Sequence, residues 1–283
     1  MTRRTQTALA CAAAAAAAFA VVRVLAYAHP FHHADALVLH DFLQLDRPRS
    51  YRWLTGVAHT ADPGPYGLLG LLLIAIALRR GRVRVAAAVV MILGGAAVTT
   101  DKILKPALAE PRFDAVLTFH QIPPTGFPSG HATASMALAL CAVLVAAPRF
   151  RPYVAALGAL FAVAVCYSFL ALGWHYPSDV LGGYLVAGFW TALAVAALSA
   201  ADARWPARTG REAAGRLLSR VQARALTAAL AAMVLVAVVL VAVIAPDRAL
   251  DFVRGHTLFT VGAAAIALAS VAVSGVVAAI LRD

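Results

Sequence analysis

The nine residues FPSGHATAS, 127–135, form a polar turn directly before a long apolar run. Pro128 restricts the approach of the chain, and Ser129 is a favourable N-cap for a helix that starts here. Gly130 allows a ligand close to the backbone, while His131 lies in the first helical turn. The free N–H groups and positive dipole end of this helix suit an anion such as phosphate. The alternative is a capped helix start with a histidine at an interface.

The composition indicates an integral membrane protein. Of the 283 residues, 62% are hydrophobic and only 13% are charged, and a soluble domain of this length cannot bury so much apolar surface. The three cysteines lie inside apolar runs without a CxxC spacing. We therefore predict neither a disulfide framework nor a zinc site.

Eight apolar runs approach the length of about 20 residues that a helix needs to cross a bilayer. They lie near residues 7–28, 66–80, 83–104, 131–148, 153–173, 179–200, 224–245 and 257–281. Their length, and the need to satisfy backbone polar groups in lipid, favour helices. The first run ends in AYA like a signal peptide, but Arg23 inside it favours an uncleaved helix.

The distribution of charge predicts the topology. If the N-terminus lies inside and each run crosses once, 15 of the 24 basic residues fall inside and ten of the 13 acidic residues fall outside. The net charge of +11 is then a positive-inside signal, and no nucleic-acid partner is expected. We expect both termini in the cytoplasm. All nine histidines, together with Lys102 and Lys105, fall outside, which predicts a functional site on the extracytoplasmic side of the cell membrane.

A second polar segment, KILKPALAEPRF at 102–113, follows the third apolar run. Lys105 and Arg112 would share one face of an unbroken helix, but Pro106 and Pro111 make such a helix unfavourable. We expect only that both cations emerge near one helix end. The alternative is a snorkelling lysine and a loop arginine.

A third polar segment, GWHYPSDVLGG at 173–183, separates the fifth and sixth runs. His175 and Asp179 are four residues apart, and Pro177 favours a helix start between them. The carboxylate could accept the proton of one imidazole nitrogen, which would leave the other nitrogen free to attack. The alternative is a capping aspartate that complements the helix dipole. Taken together, the three segments suit phosphoryl transfer, in which positioning and charge stabilisation supply most of the catalysis.

At these residues the chain resembles the type 2 phosphatidic acid phosphatase (PAP2) family, which shares its site with vanadium haloperoxidases. The family pattern is a Lys followed seven residues later by Arg-Pro, then PSGH, then Ser-Arg followed by His and, four residues on, Asp. Lys105 and Arg112 match the first part, with Phe113 in place of Pro, and residues 128–131 match the second. The third part is matched by Ser168, His175 and Asp179.

The resemblance implies an all-α, polytopic membrane fold. We expect a six-helix PAP2-like catalytic core over residues 1–200, in which 29–65 form an outer interfacial segment. A basic cytoplasmic linker is expected at 201–223 and an additional pair of transmembrane helices within 224–283.

The resemblance also implies a mechanism. His175, oriented by Asp179, would attack phosphorus to form a phosphohistidine, and His131 would serve as general acid and then as general base. Fixed cations would do the work of a metal, so no metal or other cofactor is expected. The phosphate-binding residues implied by the match are Lys105, Arg112, Ser129, Gly130 and Ser168.

One further departure from the family pattern bears on phosphate binding, because Phe169 stands where the family has an arginine that holds phosphate oxygens. Lys102 is the nearest auxiliary cation by sequence. We expect a lipid phosphatase acting on a lipid mono- or diphosphate, either a polyprenyl (di)phosphate or a phosphatidic-acid-like lipid. The alternative is an impaired relative that binds lipid phosphate as a carrier or assembly partner. A transporter is less supported, since no inverted repeat is evident, and the oligomeric state stays open.

Overall fold

The computed structural model describes residues 1–205, apart from Arg47 and Arg49, and residues 254–281. Within these ranges the chain forms helices and no strand. The helices are α1 Arg3–Tyr27, α2 Phe31–Leu43, α3 Tyr51–Ala58, α4 Pro63–Arg79, α5 Val83–Val98, α6 Lys105–Ala107, α7 Gly130–Val145, α8 Arg151–Ala171, α9 Pro177–Arg204 and α10 Thr257–Ile280.

The predicted all-α, polytopic membrane fold is confirmed. In the described part of the chain, six helical segments are long and apolar enough to cross a membrane. A seventh span results if Tyr51–Ala61 and Pro63–Arg79, which are bent by 52°, count as one broken span. The helix of the predicted run near 66–80 extends from Pro63, a favourable first helical residue, to Arg79. The predicted run at 224–245 lies outside the described residues, as does most of the predicted linker at 201–223.

Basic side chains join the helix ends at one end of the bundle. Arg82, before α5, donates to the carbonyl oxygen of Val145 at the end of α7, over 2.8 Å. Arg84 pairs with Asp202 near the end of α9, over 2.7 Å. A cation at a helix C-terminus satisfies exposed carbonyls and complements the dipole. The residues of the PSGH turn lie at the opposite end of α7.

The close approach of α7 and α9 places this turn against the start of α9. A Cβ atom on Gly183 would lie 2.7 Å from the carbonyl oxygen of Ser129 and 2.8 Å from the amide nitrogen of Thr133. Only a glycine allows this separation, because small residues let helix backbones come together in a membrane protein. The packing therefore couples the second and third sequence motifs.

The segment between α1 and α4 packs more deeply than the sequence analysis predicted. Ala36, Leu39 and Phe42 on α2 are fully buried, and the ring of Phe42 lies 4.7 Å from that of Phe259 on α10. Trp53 on α3 stays exposed, as an aromatic residue in a headgroup zone would be. The structure thus makes α2 a helix of the bundle.

Helix α10 packs against α8. Ser270 donates to the carbonyl oxygen of Ala159 over 3.1 Å, and Tyr167 donates to that of Ala263 over 2.6 Å. Both bonds satisfy polar groups between apolar helices, which is how polar side chains join helices in membranes. This last helix therefore lies on the same bundle as the helices that carry the motifs.

We expect Gly183→Ala to destabilise the protein by about 1–3 kcal/mol, because its methyl group would push α7 and α9 apart. Gly188→Ala on the same helix is the matched control, since its Cβ would lie an ordinary 3.4 Å from Val273. Thermal unfolding in detergent measures both variants. Equal midpoints for the two would contradict the proposed close approach.

Candidate active site

The structure brings the two motif histidines together at one end of the bundle. His131 lies in the first turn of α7, and His175 lies in the turn between α8 and α9. Their ring centroids are 6.4 Å apart. The two imidazoles are therefore close enough for one ligand to contact both.

A cavity of about 280 Å³ opens beside the start of α7. This volume is near the lower end of the range of small-molecule sites, about 300–1,000 Å³. Three of the sequence-predicted site residues line it, namely Lys105, Gly130 and His131. Lys105 comes so close that a Cβ on Gly130 would lie 3.1 Å from its Nζ atom. The cavity therefore joins the first and second motifs.

The N-terminus of α7 offers hydrogen-bond donors next to this cavity. Ser129 caps the helix, since its Oγ accepts from the amide of Ala132 over 3.2 Å. Its own amide donates to the carbonyl oxygen of Asp179 over 3.0 Å. Across the described residues, no protein acceptor is found for the amides of Gly130 and His131. These two N–H groups are available to an anion.

Asp179 both caps α9 and contacts His175. Its Oδ2 lies 3.4 Å from Nδ1 of His175 and accepts from the amide of Tyr176 over 2.9 Å. A buried carboxylate only accepts hydrogen bonds, so Nδ1 carries the proton and Nε2 is left as the nucleophilic nitrogen. The two interpretations that the sequence left open, a cap and an orienting group, are thus combined in one side chain.

Arg112 lies buried behind the histidines, and it is not among the residues that line the cavity. One terminal nitrogen donates to Oγ of Ser178 over 3.0 Å, and the other donates to Asp179. A carboxylate oxygen of Asp35 on α2 lies 3.7 Å from a terminal nitrogen of Arg112. Burial opposes the charge of Arg112, yet the carboxylates of Asp179 and Asp35 raise its pKa above the ordinary value. In this structure Arg112 therefore binds carboxylates, where the resemblance implied a phosphate.

Two other implied phosphate ligands, Lys105 and Ser168, also have partners within the protein. Nζ of Lys105 lies 2.9 Å from a carboxylate oxygen of Asp101. Ser168 is buried and donates to the carbonyl oxygen of Ala164, one turn back on its own helix, over 2.7 Å. Lys102 is exposed to solvent and does not line the cavity. The cations near the histidines thus have acidic partners.

Phe169 forms an apolar wall beside the two histidines. Its side chain is fully buried, and its ring centroid lies 5.3 Å from that of His175 and 5.8 Å from that of His131. A phenyl ring has no donor for a phosphate oxygen. The position that carries an arginine in the resembled family here packs against both imidazoles.

Two acidic residues of the site were missed by the sequence analysis. Asp35 accepts from the amide of Ser178 over 3.0 Å and from its Oγ over 2.5 Å. An Oδ1 atom of Asp62 lies 3.0 Å from Nε2 of His131. The available signals were an acidic residue inside the apolar run of α2 and an aspartate immediately before Pro63. Neither signal indicates which residue the aspartate binds.

No group of three or more His, Cys, Asp or Glu side chains that could hold a metal ion is found in residues 1–205 and 254–281, where the structure describes them. The expectation of a site without a metal stays a prediction.

Comparison with known proteins identifies the family of the central region. Residues 84–202 match the PAP2 superfamily model, which confirms the predicted family for this region. A solved structure of a transmembrane PAP2 type phosphatidylglycerolphosphate phosphatase from Bacillus subtilis matches with a TM-score of 0.56 and 19% identity. The match covers 67% of this chain and 96% of that chain, and it shows a shared fold. No curated protein sequence matches this one significantly.

The buried carboxyl of Asp35 generates a prediction about pH and stability. Burial raises its pKa from 3.8 to about 7. The protonated form therefore stabilises the fold, and this contribution is complete below about pH 4 and lost as the pH rises through about 7. We expect the thermal midpoint of the wild type in detergent to fall between about pH 5 and 8, and Asp35→Asn to flatten this dependence.

The exposed Asp46 on the same segment supplies the control. Asp46→Asn should leave the pH dependence of the midpoint unchanged. If the thermal midpoints of the wild type and Asp35→Asn changed with pH in parallel, the proposed role of the Asp35 carboxyl would be contradicted.

Proposed function

We propose that this chain, in which residues 84–202 match the PAP2 superfamily, is an integral membrane phosphatase that hydrolyses a lipid phosphate. The observation that carries the proposal is the pair His131 and His175, with ring centroids 6.4 Å apart, next to free helix N–H groups and Lys105. A nucleophile with an orienting partner, a second proton-transfer group and anion donors within one site are the parts that phosphoryl transfer needs.

In the proposed reaction, Nε2 of His175 attacks phosphorus while the bond from phosphorus to the leaving lipid oxygen breaks. His131 gives that oxygen a proton, and a phosphohistidine remains. His131 then takes a proton from water, whose oxygen attacks phosphorus and releases inorganic phosphate and neutral His175. Asp179 holds the Nδ1 proton of His175 throughout and stabilises the positive charge of the substituted ring.

Charge stabilisation would come from two sources. The amides of Gly130 and His131 point from the positive end of α7, and Lys105 adds a full charge. Arg112 supports the nucleophile indirectly in this structure, because it holds Asp179 against His175. Fixed donors of this kind supply the positive field that a metal would otherwise supply, so we propose a reaction without a metal.

The proposed substrate is a lipid mono- or diphosphate, such as a polyprenyl (di)phosphate or a phosphatidic-acid-like lipid. The Bacillus subtilis protein is described as a phosphatidylglycerolphosphate phosphatase. Phosphatidylglycerolphosphate is a lipid phosphate of the same chemical class. We place the site on the extracytoplasmic side of the cell membrane with both termini in the cytoplasm. The support is the arginine-rich opposite end of the bundle, where Arg82 and Arg84 lie.

A second candidate function is favoured by the pairing of charges. Lys105 and Arg112 both bind carboxylates, and Phe169 donates nothing to phosphate. Such a site would bind a lipid phosphate weakly and could hold it without hydrolysis, as a carrier would. Turnover distinguishes this candidate from the phosphatase.

We expect His175→Ala to lower phosphate release from a phosphatidic-acid or polyprenyl phosphate substrate by about 1,000-fold or more, because the nucleophile is lost. His40→Ala is the control, since its side chain is 44% exposed on α2, away from the cavity. Release of phosphate from detergent-purified protein measures both. Equal release from wild type and His175→Ala would exclude the proposed phosphatase mechanism.

We expect Phe169→Arg to tighten inhibition by inorganic phosphate by about tenfold or more, since a hydrogen bond to a charged group contributes about 1.5–3 kcal/mol. Phe169→Met serves as the control, because it keeps the volume without a donor. The inhibition constant is the measurement. A loss of activity in Phe169→Arg alone, with a folded protein, would show that the pocket requires an apolar side chain here.

A further inference from the structure

We propose that Asp62 positions His131 for proton transfer, a role that rests on the proposed phosphatase function and adds a residue to it. Asp62 lies between α3 and α4 and outside residues 84–202, the part that matches the PAP2 superfamily. Its Oδ1 is 3.0 Å from Nε2 of His131, 69 residues along the chain. Asp62 therefore stands to His131 as Asp179 stands to His175.

The second oxygen of Asp62 is held as well. Its Oδ2 lies 2.7 Å from Nδ1 of His59, one turn earlier. With both oxygens bound to imidazoles, the carboxylate has little freedom to leave His131. The bend of 52° between α3 and α4 occurs at this residue, so the break in the helix brings the carboxylate to the mouth of the site.

Aromatic packing restricts the same imidazole. The ring of Trp174 lies 5.4 Å from that of His131 and 5.6 Å from that of His59. Phe169 packs against His131 from within the bundle, with centroids 5.8 Å apart. The ring can thus hardly rotate, and the hydrogen bond to Asp62 determines which nitrogen carries the proton.

The proton positions follow from the chemistry of the pair. A carboxylate only accepts, so Nε2 of His131 keeps its proton and Nδ1 exchanges a proton with the substrate. In the first step Nδ1–H gives its proton to the leaving lipid oxygen as the phosphorus–oxygen bond breaks and the bond to Nε2 of His175 forms. In the second step Nδ1 takes a proton from the attacking water. Nε2–H stays bonded to Asp62 in both steps.

The charges around His131 explain why it needs a counterion. Lys105 lines the same cavity as His131, and its positive charge, which is paired with Asp101, disfavours a second positive charge nearby. His59 shares Asp62. Asp62 is the carboxylate in contact with His131, and its negative charge favours the imidazolium that acts as general acid.

Two substrates with different leaving groups distinguish the positioning role of Asp62 from a purely structural role. Two amphiphilic phosphate monoesters of equal chain length serve as probes: an alkyl phosphate, whose alkoxide must be protonated, and an alkyl-nitrophenyl phosphate, whose phenolate departs without a proton. We expect Asp62→Asn to lower kcat/KM on the alkyl ester by about tenfold to hundredfold. On the nitrophenyl ester kcat/KM, which reports only the formation of the phosphohistidine, should change by less than about threefold.

Asp114→Asn is the matched control. It removes another carboxylate–imidazole pair, in which Oδ2 of Asp114 lies 2.8 Å from Nδ1 of His33, and it should change neither rate. Asp62→Glu, which keeps the charge, should recover part of the alkyl-ester rate. An equal loss on both esters in Asp62→Asn, with wild type active, would overturn the positioning role alone. A wild type that releases phosphate from neither ester would overturn the phosphatase proposal, and this inference with it.

Discussion

The buried residue Asp179 connects all three polar motifs. Its carboxylate binds Arg112 from the first motif and lies 3.4 Å from His175 of the third, while its backbone carbonyl oxygen accepts from the amide of Ser129 in the second. An ionised group taken out of water is stable only when several partners replace its hydration. The need to satisfy this one charge therefore brings the first and third motifs together, and the backbone bond to Ser129 adds the second.

The pairing of charges has a consequence for how the site would treat a phosphate. Two cations, Lys105 and Arg112, are paired with Asp101 and Asp179. The positive field at the cavity then comes mainly from the first turn of α7 and from one lysine that shares its charge. Such a site favours a ligand whose apolar part supplies much of the binding free energy, which is the case for a lipid in a membrane.

Residues before the family-matched region complete the site. Asp35 on α2 binds Ser178 at the start of α9, and Asp62 binds His131 at the start of α7. Both aspartates come from the segment between the first apolar run and α4, within the predicted outer interfacial segment 29–65. This segment therefore forms part of the site, because two of its aspartates bind the helix starts that carry the motifs.

The sequence by itself determined the long apolar helices and the identity of the motif residues. Apolar runs, a Ser129 N-cap and prolines at helix starts are local signals, so the spans near 83–104 and 179–200 were predicted to within a few residues. Tertiary structure alone decided which polar side chains bind each other across long stretches of the chain. Asp35 and Ser178 are 143 residues apart, and Arg112 and Asp179 are 67 apart. A buried ion pair depends on how helices pack, and no local pattern of residues encodes that choice of partner.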